Sequence, residues 1–144
     1  MVSKIKIRIP LPANSGETLW AEQVGENLFK LLNIPFFAFG YAEGDIVRCE
    51  QNQDWHEVIG LEKDNGNGTL RLIFAQEAGT DIQDILDELK SVGCTYEMAS
   101  SKLVAVTVPP NLEIPFSQLS NFLNSIKDEI MPSWEVAKQF TRNE

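Results

Sequence analysis

From Thr69 onward the chain sets out an order of patterns that few folds can accommodate. Thr69 to Gln76 alternates, with Leu70, Leu72 and Phe74 on one face and Arg71 and Ile73 on the other. Ile82, Ile85, Leu86, Leu89 and Val92 then recur at helical spacing. Thr80 with Gln83 three residues on reads as a capping box, Asp81 and Asp84 favour the positive helix end, and Gly93 supplies a left-handed C-terminal residue. Cys94 to Ser100 and Lys102 to Val108 follow as two strands, the second apolar on both faces as a central strand is. A second helix is expected from Pro115, with Phe116, Leu119, Phe122, Leu123, Ile126 and Ile130 on one stripe and Pro132 preventing continuation. Ser133 to Thr141 closes the series as a strand. Strand, helix, two strands, helix, strand is the order of a ferredoxin-like split sandwich, a shape that hosts many chemistries and assigns none.

The first half reads as all-β. Lys4 to Ile9 alternates strictly, three isoleucines against three cations, the pattern of a half-buried strand. Glu17 to Val24 and Leu28 to Asn33 form an expected hairpin around Gly25-Glu26-Asn27, Asp45 to Gln51 is a further strand, and His56 to Lys63 runs into the turn Asp64-Asn65-Gly66-Asn67-Gly68. So many short strands without a helix predict a small β-barrel or curved antiparallel sheet. The expected fold class is therefore α+β: a barrel-like subdomain over residues 1–66 and a ferredoxin-like βαββαβ subdomain over 67–144, forming one compact unit. Either one end of the Thr69 strand pairs with His56 to Lys63 or the second half is a rearranged α+β layer, and the first is favoured because strands joined by such a turn usually pair.

At 144 residues and 43% hydrophobic, the chain is large enough to bury a substantial core. The N-terminal run MVSKIKIRIP alternates instead of opening an apolar block, and no stretch approaches the roughly 18 apolar residues of a membrane span, so a cytoplasmic protein is expected. Cys49 and Cys94 lie in no CxxC pattern and read as reduced, buried thiols. The net charge is −9, with six basic and ten acidic residues up to position 66 and six and eleven beyond it. Such a chain repels phosphate backbones, which argues against nucleic acid and anionic membranes and allows a basic protein partner.

Trp20, Phe36, Phe37, Phe39, Tyr41 and Trp55 crowd one β region. They either fill a barrel core or line a pocket beside Glu17 and Asp45, and the need of a small barrel for bulky interior side chains favours the core, Trp20 and Phe36 included. The binding candidates, should the pocket exist, are Glu17, Trp20, Phe36, Asp45 and Trp55. Asp45, after Gly44, is placed to accept hydrogen bonds from turn amides. The single histidine, His56, has no visible companion and reads as a solvated loop or strand-edge residue. With one His and two distant Cys there is no tetrahedral zinc set and no Cys/His dyad, and Walker A, G-x-G-x-x-G and G-x-S-x-G motifs are absent. Asp81, Asp84, Asp87 and Glu88 share part of one helix face, best read as solvated. No catalytic residue, cofactor or metal is expected.

Glu17-Thr18-Leu19-Trp20-Ala21, Asn33-Ile34-Pro35-Phe36-Phe37-Ala38, Gly44-Asp45-Ile46-Val47 and Gly66-Asn67-Gly68-Thr69-Leu70-Arg71 stand in a familiar order and spacing. They resemble an uncharacterised bacterial family of unknown function with ESLWA-like, NIPFFA-like and GD(V/I)V segments. The resemblance covers roughly residues 1–76 specifically and the remainder loosely, and it implies bacterial relatives with no known activity. The expected function is a non-catalytic protein-interaction module, of a toxin-neutralising, immunity-like kind. The alternative is a small-molecule-sensing domain, and a dimer through the ferredoxin-like sheet is compatible with either.

Overall fold

A computed structural model describes residues 4–75, 79 and 81–141. Their elements in chain order are β1 (Lys4–Leu11), β2 (Ser15–Gly25), β3 (Leu28–Leu31), β4 (Ile46–Gln51), β5 (His56–Lys63), β6 (Gly68–Ile73), α1 (Asp81–Ser91), β7 (Thr95–Met98), β8 (Leu103–Val108), α2 (Phe116–Ser125) and β9 (Ser133–Lys138). The protein is of mixed α+β class, a closed five-stranded barrel joined to a four-stranded sheet carrying two helices.

The barrel runs β1-β2-β3-β4-β5 and closes through a short parallel pairing of β5 with β1 at Ile7↔His56 and Arg8↔Glu57. Strict alternation on β1 and β2 sends Ile7, Ile9, Leu19 and Ala21 inward, where they meet Phe29, Leu31, Val47, Cys49 and Val58 in a buried cluster. Asn27 takes the left-handed conformation in the β2–β3 turn, as the hairpin expectation required.

In the second sheet the order is β7-β8-β6-β9, with every adjacent pair antiparallel. The apolar face of β6 (Leu70, Leu72, with Phe74 beyond it) packs with Val104, Val106 and Val108 of β8 against Ile82, Ile85, Leu86 and Leu89 of α1 and Leu119 and Leu123 of α2. Gly93 has φ +108 at the end of α1, the left-handed C-terminal position expected of it. Thr80, the expected cap, lies outside the described residues; Gln83 Nε2 donates to Asp87 one turn on, at 2.8 Å.

Two expectations are corrected. The Asp64–Gly68 turn does not make a hairpin: among the described residues β5 pairs with β4 and β1, and β6 with β8 and β9. β4 takes one edge of β5 along its length and β1 takes the other at His56 and Glu57, and the turn carries the chain from one sheet to the other. Second, α2 stops at Ser125 and not near Pro132, with Ile126 already extended. Ile126 and Ile130 still pack on the core, and the early stop lets the Ile130 carbonyl accept from the Ala75 amide at 2.9 Å.

Candidate functional site

Residues 32–45, between β3 and β4, form a long connection without regular structure that lies against the face of the second sheet opposite its helices. Backbone polar groups packed against protein must find partners, and a connection of this length needs them throughout. Buried and half-buried side chains supply many of them. Glu17, only 6% exposed at an inward position of β2, accepts three consecutive amides: Phe36 at 2.5 Å, Phe37 at 3.0 Å and Ala38 at 3.0 Å. Glu97 of β7 accepts the Ile34 amide at 2.8 Å, and its other oxygen faces Asn33 at 3.4 Å. From β6, Arg71 donates to the Ala38 carbonyl and Thr69 to the Tyr41 carbonyl, the latter at 2.9 Å. The Gly40 amide donates to the Ala137 carbonyl on β9, also at 2.9 Å.

Asp45, fully buried, closes the connection. It accepts from the Ala42 amide at 2.9 Å, the Asn65 amide at 3.0 Å and Lys138 Nζ at 2.7 Å, so the turn-acceptor expectation holds and extends to a cation from the last strand. Gly44, at φ +88, passes so close to the Asn65 amide group that a Cβ there would collide with it. Lys138 also reaches Asp64 at 2.8 Å, and that hydrogen bond holds the Asp64 carboxyl below the usual aspartate range. Burial pushes the Glu43 carboxyl up, the nearby Glu97 charge adding to the effect.

The aromatic core expectation is overturned for Trp20 and Phe36, whereas Tyr41 does pack against the barrel cluster. Trp20 is 42% exposed and Phe36 is half-buried outside the barrel cluster. Trp20 shares the outward parity of Thr18 and Glu22, while Leu19 and Ala21 take the inward positions, and Lys6 Nζ stands 5.2 Å from its ring centroid. Trp55 is likewise exposed, beneath the Arg8 guanidinium at 5.2 Å. His56 is half-buried at the start of β5, its ring 4.9 Å from Phe29, at a strand end and only partly solvated. Of the five binding candidates, Glu17 and Phe36 meet directly, Asp45 sits at the far end of the same connection, and Trp20 and Trp55 lie on the barrel exterior.

Phe37 and Phe39, part of the aromatic group in the sequence but not among the binding candidates, face outward. They are 55% and 61% exposed, on a segment whose backbone is held on both sides of each. They line a groove of about 350 Å³ with Ile9, Pro10, Leu11, Pro12, Ala38 and Tyr41. Phe39 stacks on the buried Arg71 guanidinium at 4.5 Å, and burial lowers the Arg71 pKa against the opposing pull of Glu135 and Glu17. Arg71 Nε, itself buried, has no acceptor. Among the described residues no cluster of His, Cys, Asp and Glu could hold a metal ion. Cys49 and Cys94 are free and buried, their thiols pushed up to about 11 and about 12 by desolvation. No helix among the described residues is long and apolar enough to cross a membrane.

A connection held by buried carboxylates and carrying outward phenylalanines is what the segments around Glu17, Phe36 and Asp45 build. The chain belongs to a family described as a domain of unknown function, DUF4265, whose model matches residues 17–134. Its fold is similar to that of a solved structure titled a novel crystal structure of a hypothetical protein from Neisseria gonorrhoeae, with a TM-score of 0.78 at 22% identity over 97% of this chain and 96% of that one. Comparison with curated proteins returned no match.

Proposed function

We propose that the protein is a non-catalytic interaction module that docks a protein partner through the face carrying Phe37 and Phe39. One observation carries the reading: two adjacent, largely exposed phenylalanines beside an apolar groove, on a segment fixed by buried charged groups. Scattered exposed apolar residues need no explanation, but a rigid pair beside a groove is how anchor residues are presented, since little entropy remains to be lost on binding. An immunity-like role is the specific form of this reading, with the −9 charge steering a basic enzyme toward the protein. Affinity capture from the native cell at low and high salt tests it. A stoichiometric partner lost on Phe37→Ser/Phe39→Ser is expected; capture that ignores the double substitution refutes the assigned face.

A second reading, a small-molecule sensor, draws on the groove itself, whose roughly 350 Å³ falls in the lower range of ligand pockets. The element order β6-α1-β7-β8-α2-β9, with β6 and β8 central, supports reading the second sheet as ferredoxin-like, a frame many ligand-binding proteins share. A thermal-shift screen of amino acids and nucleotides separates the two readings, because a ligand of the groove raises the melting temperature by mass action.

A further inference from the structure

The groove is one end of a longer surface. The outward side chains of β1 are Lys4, Lys6, Arg8 and Pro10, and Pro10 is a wall of the groove. Arg8 bridges the two parts: its guanidinium lies over Trp55, pairs with Glu57 at 3.0 Å, and covers Gly16, the cross-strand partner of Pro10. Any side chain at Gly16 would displace it. Lys6 lies over Trp20, and Lys4 and Lys30 flank Glu22 at paired positions of β1, β2 and β3. Among the described residues the strand partners of Lys4, Lys6, Arg8 and Lys30 include two carboxylates, Glu22 and Glu57, with Glu50 opposite Glu57 on β4, which leaves a small positive surplus toward Lys4 on a chain of net charge −9. Neither Lys4 nor Lys6 makes an ion pair among the described residues.

We propose that this strip and groove together dock an extended acidic segment of a protein partner, with carboxylates on Lys4, Lys6 and Lys30 and an apolar side chain seated between Pro10, Pro12, Phe37 and Phe39. The proposal rests on the docking-face reading above, not on its immunity-like form with a basic enzyme, and names what the face accepts. Lys4 and Lys6 stand two residues apart on a strand, roughly 6.6 to 6.8 Å, the repeat of alternate side chains in an extended peptide. Recognition is assigned to side chains, since the lysines of the strip and the phenylalanines of the groove are exposed. The surplus is short, the groove beyond it has no cation in its lining, and Trp20 and Trp55 each already carry a cation on one ring face, so a long polyphosphate finds few contacts and a repelling remainder.

Titration calorimetry on the full chain tests this, using a synthetic peptide of about ten residues with Glu at alternate positions and a terminal Leu-Phe, its Lys-for-Glu counterpart, and oligodeoxythymidine. The acidic peptide is expected to bind in the micromolar range at low salt, at least about tenfold tighter than the basic one, and to weaken as salt rises. Lys4→Glu/Lys6→Glu and Phe37→Ser/Phe39→Ser should each weaken it about tenfold or more, and all four positions are exposed, so unfolding midpoints should stay near wild type. No binding at millimolar peptide, equal binding of the basic peptide, indifference to Lys4→Glu/Lys6→Glu, or tighter binding of oligodeoxythymidine overturns the proposal. If a captured cellular partner depends on Phe37 and Phe39 but not on Lys4 and Lys6, the docking face stands and the acidic segment does not.

Discussion

Replacing Glu17 by Ala removes the one acceptor shared by the Phe36, Phe37 and Ala38 amides. A buried donor left without its partner costs roughly 1–3 kcal/mol, and hydrogen bonds to a charged acceptor lie toward the upper part of that range. Three such donors would give up to about 9 kcal/mol, but Phe36 and Phe37 are open enough for water to reach their amides, and removing a buried carboxylate also relieves its desolvation. A net loss of about 3–5 kcal/mol results, a large part of the roughly 5–15 kcal/mol that holds a domain together. Glu17→Gln keeps the shape and one acceptor oxygen but turns an amide toward the backbone donors, so it should cost about 1.5–3 kcal/mol. Urea unfolding followed by tryptophan fluorescence measures both. A Glu17→Ala midpoint within about 1 kcal/mol of wild type would show that the connection does not depend on its carboxylate staple and would sink the reasoning.

Asp45→Asn removes the buried one of the two carboxylates on Lys138, leaves Asp64 as its charged partner, and weakens the acceptor of the Ala42 and Asn65 amides, so it is expected to cost about 1.5–3 kcal/mol in the same assay. Phe29→Ala, emptying a 1% exposed position in the barrel, should cost about 3–5 kcal/mol, whereas Trp20→Ala should cost only about 0.5–1.5 kcal/mol; a reversed order would return Trp20 to the core. Because its folded pKa is depressed by Lys138, Asp64 contributes stability that is present above the ordinary aspartate value of 3.8 and is lost as pH falls through the lower folded value. Acid melts of Asp64→Asn should therefore show a weaker dependence on pH in that window than wild type. Cys49 and Cys94, with thiols at about 11 and about 12, should resist a disulfide reagent at about pH 8 in the native protein and react on unfolding; stability should also fall as pH rises from 9.0 toward those values.

Elements were legible wherever the pattern is local. The β1 alternation, the α1 stripe ending at Gly93 and the doubly apolar β8 each answer to a period set by backbone geometry, and β5 and β8 lie where their patterns placed them. Asp45 was legible for the same reason, because an acidic residue after a turn glycine serves amides close by in the chain. A local signal for Trp20 also existed: Glu17, Leu19 and Ala21 share one parity, which puts Trp20 outside and, less expectedly, a carboxylate inside.

What that inward carboxylate does could not be read along the chain, since its amide partners lie about twenty residues away and meet it only when the barrel closes. The same holds for Arg71 under Phe39, for Lys138 on Asp45, and for the strip that joins Lys4 to the groove, each assembled from strands of different sequence position. Periodicity decides which side of a strand a residue takes. Only closure and packing decide whether that side faces a core, a neighbouring layer or water, because burial is a property of everything else that arrives there.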